Sequence, residues 1–539
     1  MTTDISTGVY LTKLLRAYGV NTVFGIPGVH TIELYRGLAG SGLRHVTPRH
    51  EQGAGFMADG YARAGGRPGV CFIISGPGMT NILTAMGQAY GDSVPMLVIS
   101  TVNAHGRMGS GEGWLHELPD QQGMVAKVSA FSRTIHRPED LAGALAQAFA
   151  VFDGARPRPV HLELPIDVML APAGHLPVPD SPARLSRPSP DPAALAEAAA
   201  VLARAQRPLI LAGGGAVGAA ALPALAKALD APVVMTTNGR GILPPGHPLA
   251  VTLTASLPAT RALIAAADVV LAVGTELGPT DYDMYEDGGL TLPAPLIRLD
   301  IDATQVQRGC APTIGLVGDA GQGVAALLAA IPARAPAGGA ARAAAAQSGI
   351  ADLPEMLRAD LALLDMLRAT LPEALIVGDS TQAVYAGNMA FAAARPGGYF
   401  NSATGFGTLG YGLPAATGAA LAQGRPVLAL TGDGGLQFCL SELTSAVEAG
   451  VSVILLLYDN DGYGEIKSAM IAQNVPPLGV DILTPRLPEI ARACGWRTVA
   501  AETGDEMREA VRDAASVGGC TMIRYTDTLR NRMRAALGA

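Results

Sequence analysis

Dense basic charge, paired cysteines and long apolar stretches are all scarce in this chain. It has 38 Lys and Arg against 46 Asp and Glu, a formal net charge of −8, and no run of basic residues. A nucleic-acid backbone needs a concentrated positive face, so no nucleic-acid partner is expected. The five cysteines (Cys71, Cys310, Cys439, Cys494, Cys520) are dispersed, with no C-x-x-C spacing. That pattern excludes a disulfide framework and a zinc knuckle. The densest apolar run, VSVILLLY (451–458), is too short to span a bilayer, so no membrane partner is expected. The first residues, MTTDISTGVY, are polar and acidic and do not read as a signal peptide. The expectation is a cytoplasmic protein.

What is present is core-forming material. The chain has 539 residues, of which 49% are hydrophobic and only 16% charged, with much Ala and Gly. This suits several compact α/β domains better than a disordered or coiled-coil chain. Short apolar runs alternate with helical stretches in three blocks. VCFIIS (70–75) and MLVIST (96–101) flank the helical TNILTAMGQAYGD (80–92) in the first. PLILAG (208–213), APVVMTT (231–237), DVVLAVG (268–274) and APLIRLDID (294–302) mark the second. ALIVGD (374–379), PVLALTGDG (426–434), VSVILLLYDN (451–460) and TMIRYTD (521–527) mark the third. Alternation of this kind predicts parallel sheets covered on both faces. The fold class expected is α/β, with three doubly wound parallel-sheet domains over 1–172, 193–333 and 350–539. The Pro-rich 173–192 and the Ala-, Gly- and Pro-rich 334–349 read as linkers, with a helix possible in the Ala-rich part.

One constellation in the third block carries chemistry. PVLALTGDGGLQF is a strand ending in Gly-Asp-Gly-Gly, LSELTSAVEAG is an amphipathic helix, and VSVILLLYDNDGYGEIK is a second strand ending in Asp-Asn-Asp-Gly. Asp433 and Asn460 are 460 − 433 = 27 residues apart, about one crossover, so both reach the carboxyl ends of neighbouring strands. A carboxylate, an amide oxygen and a backbone carbonyl form a hard oxygen set suited to Mg²⁺. Gly434 and Gly435 leave room for a phosphate to approach backbone N–H groups.

These residues resemble the diphosphate motif of the thiamine-diphosphate enzymes that include acetolactate synthases, pyruvate oxidases, and pyruvate and benzoylformate decarboxylases. The resemblance implies thiamine diphosphate and Mg²⁺ as cofactors, with Asp433, Asn460 and the Gly462 carbonyl as metal ligands. The motif usually ends Asn-Asn; here Asp459 stands at the first position. GVNTVFGIPGVHTIELY (19–35), PRHEQGAGFMADGYAR (48–63) and SGPGMTNILTAMGQAYGDSVPMLVIS (75–100) look like the family's pyrimidine-binding domain. The resemblance makes Glu51 the catalytic glutamate, whose carboxyl donates to the cofactor's aminopyrimidine. NSATGFGTLGYGLPAATGAAL (401–421) is similar to the segment that bends the cofactor, with Leu409 beneath its rings and the Gly407 carbonyl as an acceptor. VGDSTQ (377–382) resembles a second diphosphate contact through Thr381 and Gln382. The family builds each site from two subunits, which implies a homodimer at least, and commonly a homotetramer.

The middle block has G-x-G-x-x-G at Gly213, Gly215 and Gly218, but the following strand ends Met235, Thr236, Thr237, Asn238 with no acid for a ribose. Relatives with flavin carry an Arg-Phe-Asp segment where this chain has the acidic GTELGPTDYDMYEDG (274–288), so FAD is not expected.

The cofactor carries out the decarboxylation of a 2-oxo acid. Protonation afterwards gives an aldehyde; addition to a second carbonyl gives a carboligation product. His116, in GSGEGWLHELPDQQ (109–122), is a candidate general acid–base group, because imidazole changes charge near neutral pH. Gln121 is its acetolactate-type counterpart, and this segment leaves both open. Glu465, after DNDGYG, falls where relatives line the substrate pocket, one position before a glutamate of pyruvate decarboxylases. An acid there suits a cationic tail, and Glu112, Glu117 and Asp120 could add to its field. Taken together these segments look most like the 5-guanidino-2-oxopentanoate decarboxylase subgroup. The expected activity is decarboxylation of such a 2-oxo acid to aldehyde and CO₂. The alternative is an acetolactate-type carboligase, although KSAMIAQNVPP (467–477) lacks the aromatic usual there.

Overall fold

The computed structural model describes residues 5–292 and 295–538. The first four residues of the polar N-terminal stretch, and Ala294 at the head of the APLIRLDID reading, lie outside the described residues. The chain builds three six-stranded, all-parallel sheets with helices interleaved. In the first, β1 (Thr22–Gly25), β2 (Arg44–Val46), β3 (Gly69–Ile73), β4 (Met96–Val102), β5 (Phe131–Thr134) and β6 (Val160–Pro165) lie in the order β2-β1-β3-β4-β6-β5. The second contains β7 (Pro208–Ala212), β8 (Val233–Met235), β9 (Ala250–Val251), β10 (Val269–Val273), β11 (Leu296–Asp300) and β12 (Ile314–Val317), ordered β12-β11-β10-β7-β8-β9. The third contains β13 (Leu375–Gly378), β14 (Tyr399–Asn401), β15 (Val427–Gly432), β16 (Val453–Tyr458), β17 (Arg497–Ala500) and β18 (Cys520–Tyr525), ordered β14-β13-β15-β16-β18-β17.

Counted within each sheet, the first and third share the order 2-1-3-4-6-5, while the middle one runs 3-2-1-4-5-6. Central strands such as β16 are buried along their whole length, as expected of parallel strands covered on both faces. Among the described residues, no helix is long and apolar enough to cross a membrane. The Ala-rich part of 334–349 is a helix, Gly339–Gln347.

One helix crossing joins the first and third sheets. Helix α1 (Glu51–Gly65) packs on α2 (Gly412–Gln423), and both share one hydrophobic core. A Cβ at Gly60 would lie 1.9 Å from the Ala415 carbonyl oxygen, and one at Gly418 would lie 1.8 Å from that of Met57. Backbone cannot give way as a side chain can, so only glycine permits this approach. Gly418→Ala is therefore expected to cost about 2–3 kcal/mol, read as a fall of several degrees in the unfolding midpoint. Gly143→Ala, on a helix face with nothing within 4 Å of the new Cβ, is the control and should be neutral or slightly stabilising. Equal midpoints for the two variants would refute the close-packing argument.

Candidate active site

The third sheet changes direction between β13 and β15, and ligands of open α/β sheets bind at the carboxyl ends of strands flanking such a point. Three adjacent strands deliver polar loops there. β13 is followed by Asp379–Gln382, β15 by Asp433–Gly435, and β16 by Asn460–Gly464. They enclose a cleft of about 260 Å³. Its lining includes Thr381 and Gln382, Gly407 and Leu409, Asp433 to Gly435, Asn460 and Gly462, and Glu465.

The Asp433 carboxylate is buried, and its Oδ2 accepts from the Gly462 N–H at 2.9 Å and the Thr484 hydroxyl at 2.9 Å. Burial raises its pKa, against the pull of the Thr484 hydroxyl and the Gly462 and Asn460 N–H groups. The Asn460 amide oxygen faces two other acceptors. Turned over, its nitrogen would sit 2.8 Å from Asp433 Oδ1 and 3.1 Å from the Gly462 carbonyl oxygen. Three oxygens thus converge with no donor among them. Edges of this length fit adjacent ligands of an octahedral Mg²⁺ site, about 3.0 Å apart for bonds near 2.1 Å. Among the described residues no group of three His, Cys, Asp or Glu could hold a metal, so this mixed oxygen set is the candidate. Asp461 (φ +57°) and Gly462 (φ +139°) make the turn that brings the Gly462 carbonyl in.

The two glycines after Asp433 sit close to neighbouring side chains. A Cβ at Gly434 would meet the Tyr463 ring at 2.8 Å, whereas one at Gly435 would only touch Asp379, at 3.4 Å. Asp379 and Thr484 escaped the sequence reading. Asp379 is fully buried, and burial pushes its pKa up to about 6, opposed by the N–H groups of Gly412, Ser380, Gly410 and Tyr411. It accepts from Ser380 N–H at 2.8 Å and Gly412 N–H at 3.2 Å, pinning the loop that carries Gly407 and Leu409 to the end of β13. Asp459, the departure from Asn-Asn, is neutralised by Arg524 of β18 at 2.5 Å.

Glu465 opens the helix Gly464–Ala472, and the Gln382 amide donates to its carboxylate at 2.6 Å. Tyr385 lines the same wall, and its hydroxyl pKa is raised by burial and then by the Glu465 charge.

Glu51 and His116 lie elsewhere, at the carboxyl end of the first sheet, and neither lines this cleft. Glu51 begins α1, and Asn81 donates to its carboxylate at 2.9 Å. The Arg49 and His50 N–H groups just before it both donate to the buried Glu442 carboxylate of the third domain, at 3.0 Å each. A Cβ at Gly76 would lie 2.6 Å from the His116 carbonyl oxygen, and one at Gly78 would lie 3.3 Å from Glu51 Oε1. The Gly-Pro-Gly segment therefore connects the two. Within one chain these residues form two separate groups, one in the first domain and one in the third.

The neighbours of His116 are engaged otherwise than the sequence suggested. Gln121 is buried; its Oε1 accepts from Gly76 N–H at 3.0 Å, and its amide donates to Ser100, Thr101 and Glu163. Glu117 accepts from the N–H groups of Gly111, Gly113 and Trp114 and from the Ser110 hydroxyl, and these bonds lower its pKa. Glu112 accepts from the Trp114 indole, and Asp120 caps the helix Gln121–Val125. These three acids organise their own loop, and none of them lines the cleft around Asp433.

In the middle domain, a Cβ at Gly213 would meet the Gly274 carbonyl oxygen at 2.3 Å, and one at Gly215 would meet Gly274 Cα at 2.9 Å. Two of the three glycines thus serve close packing of one loop on another.

Comparison with known proteins accords with this arrangement. Models of thiamine pyrophosphate (thiamine diphosphate) enzymes match over three regions: the N-terminal TPP binding domain at residues 5–124, the central domain at 195–327 and the C-terminal TPP binding domain at 379–525. The chain is 46% identical to a "Probable 2-ketoarginine decarboxylase" of Pseudomonas aeruginosa over 96% of its own length and 93% of that protein. It is 30% identical to the acetolactate synthase isozyme 1 large subunit of Escherichia coli, over 84% of this chain and 82% of that protein. A solved structure of a protein from Mycobacterium smegmatis superimposes with a TM-score of 0.81 at 25% identity, over 97% of this chain and 99% of that one. With three sheets of this order, a polar cleft at the switch point of the third, and family models matching all three domains, the chain belongs to the thiamine pyrophosphate enzyme family.

Proposed function

We propose that the chain is a Mg²⁺- and thiamine-diphosphate-dependent decarboxylase of a 2-oxo acid with a cationic tail, of which 5-guanidino-2-oxopentanoate is the best candidate. The observation that carries the substrate class is the Glu465 carboxylate, held by Gln382 on the wall of the diphosphate cleft. A guanidinium presents paired N–H donors, and a carboxylate accepts both. The relative at 46% identity bears the name of such a decarboxylase.

In this reading, Asp433, Asn460 and the Gly462 carbonyl hold Mg²⁺, and Gly434, Gly435, Thr381 and Gln382 receive the diphosphate. Leu409 and the Gly407 carbonyl set the cofactor's bend, Glu465 orients the substrate tail, and His116 supplies the proton that completes the aldehyde. When bound, thiamine diphosphate takes up the electron pair released as CO₂ leaves. Glu51 holds a proton at the cofactor's aminopyrimidine from a second copy of the chain, because it does not line the cleft of its own. A homodimer is then the minimum unit, with a homotetramer as its pair. Exposed apolar side chains near both half-sites, Val29, Ile32 and Leu115 on one and Phe406, Phe438 and Ile466 on the other, suit such a covering partner. Five free cysteines suit a reducing compartment, and we place the enzyme in the cytoplasm. No flavin is part of this reading, and the purified protein is expected to show no flavin absorbance.

The test is a panel of pyruvate, benzoylformate, branched 2-oxo acids and 5-guanidino-2-oxopentanoate, with CO₂ and aldehyde measured together. Equal CO₂ and aldehyde, fastest with the guanidino acid, is the expected result. Glu465→Gln should raise KM for the guanidino acid about 10- to 100-fold, the worth of one charged hydrogen bond, and leave KM for pyruvate nearly unchanged. A hydroxyketone from pyruvate without free aldehyde would overturn the decarboxylase reading in favour of the carboligase.

A further inference from the structure

His30 is a second imidazole at the half-site of the first domain, and nothing above assigns it a task. It lies in the turn after β1, fixed by Thr31, whose hydroxyl bonds the N–H of Gly28 at 2.9 Å and its carbonyl at 3.0 Å. Its Nδ1 lies 2.6 Å from the hydroxyl of Ser75, a fully buried residue just before the Gly-Pro-Gly segment. Its ring packs edge-on against His116, with centroids 5.0 Å apart and planes at 67°.

His116 is held there with equal care. Its backbone is left-handed (φ +60°), a conformation that disfavours a β-carbon. The Glu117 bonds to its loop and the Asn103 amide on the Leu115 carbonyl, at 3.1 Å, fix that conformation from both sides. Its Nδ1 is buried with no partner among the described residues.

The acids on the same and adjoining elements are engaged elsewhere. Glu33 bonds Arg36 and Ser6, Glu51 bonds Asn81, Glu117 bonds its own loop, and Asp120 bonds Gly123. None of these acids bonds either imidazole, and the two rings face each other. Burial, then the proximity of His116, lowers the pKa of His30.

We propose that His30 is a positioning residue of the proton-transfer site: Ser75 sets its ring against that of His116, and the two imidazoles hold one proton between them. This rests on the decarboxylase reading for its use. A 2-oxo acid anion plus one proton gives an aldehyde plus CO₂, so each turnover takes up one proton. The charged ring of the pair supplies it, and the pair reloads from solvent. A doubly charged pair, which would repel a cationic substrate, is kept from forming.

The test reads the titration of His30 directly, from imidazole C2 hydrogen–deuterium exchange of the full-length protein followed by peptide mass spectrometry. In His116→Gln the exchange midpoint of His30 should rise by about one pH unit, the size expected of two charges 5 Å apart in a partly wet site. His116→Phe, which keeps a ring but not the charge, should give the same rise and serves if the first variant folds poorly. His247, remote in sequence and in the middle domain, is the internal control. On the activity side, His30→Gln should lower kcat more than it alters KM, because it leaves the substrate-binding groups of the third domain untouched. A His30 midpoint that stays put in both His116 variants overturns the pairing, even if decarboxylation is confirmed. A raised midpoint in a protein that yields no aldehyde from any 2-oxo acid supports the pairing and sinks the decarboxylase reading.

Discussion

Glu51→Gln is expected to lower kcat by about 10² to 10⁴-fold, the range for loss of one positioned proton-transfer group, while the affinity for thiamine diphosphate should stay within a few-fold of wild type. The reasons are geometric. Glu51 is the first residue of α1, and the two N–H groups before it are fastened to Glu442, so its backbone position does not depend on its own side chain. Glutamine fills the same volume and can still meet the Asn81 side chain. What it lacks is a carboxyl that can carry or give up a proton. The diphosphate and metal groups, Thr381 to Gly462, lie 381 − 51 = 330 to 462 − 51 = 411 residues further along the chain and are untouched, which is why cofactor affinity should hold. The measurement is kcat at saturating cofactor and Mg²⁺, beside a fluorescence titration of thiamine diphosphate. A variant within threefold of wild-type kcat would remove Glu51 from the reaction. One that loses cofactor binding would make it a structural residue.

The contrast between Glu51 and Asp433 shows what the sequence could and could not disclose. Asp433 and Asn460 were legible because a single crossover sets their spacing, and the strands on either side are unbroken apolar runs. Strands that carry a full apolar core, such as β3, β4, β15 and β16, were visible for the same reason. Short edge strands were not. β2 is Arg-His-Val, β9 has two residues, β12 alternates exposed and buried positions around a glycine, and β17 has no fully buried residue, so none makes an apolar run. Sheet order depends on pairings between distant segments and left no local mark. The same limit hid Thr484, 51 residues beyond the carboxylate it serves, and Glu442, which accepts from the N–H groups of Arg49 and His50, 393 and 392 residues back. Asp379 looked like a turn residue because nothing local shows that it is buried. Gln121 and His116 stood equal on the page of letters; only their hydrogen bonds separate an amide fully engaged in the interior from an imidazole with an open nitrogen.

Asp433→Asn should abolish retention of Mg²⁺ and thiamine diphosphate at micromolar concentrations, with activity falling at least 10³-fold. The substitution removes the one formal negative charge among the three converging oxygens, and a hard divalent ion depends on that charge. It also removes the carboxylate that accepts from Gly462 N–H and the Thr484 hydroxyl, so the turn presenting the Gly462 carbonyl loosens. Equilibrium dialysis with Mg²⁺ and the cofactor reads this without activity. Wild-type affinity in the variant would show that the three oxygens are not a metal site. A mixture of the two inactive proteins then tests the division of the site. If Glu51 acts across the subunit boundary, a mixed dimer of Glu51→Gln with Asp433→Asn has one site with both defects and one with neither. Random assortment makes about half of all dimers mixed, so about a quarter of wild-type sites should recover. If Glu51 instead serves the cleft of its own chain, every site keeps one defect and no activity returns.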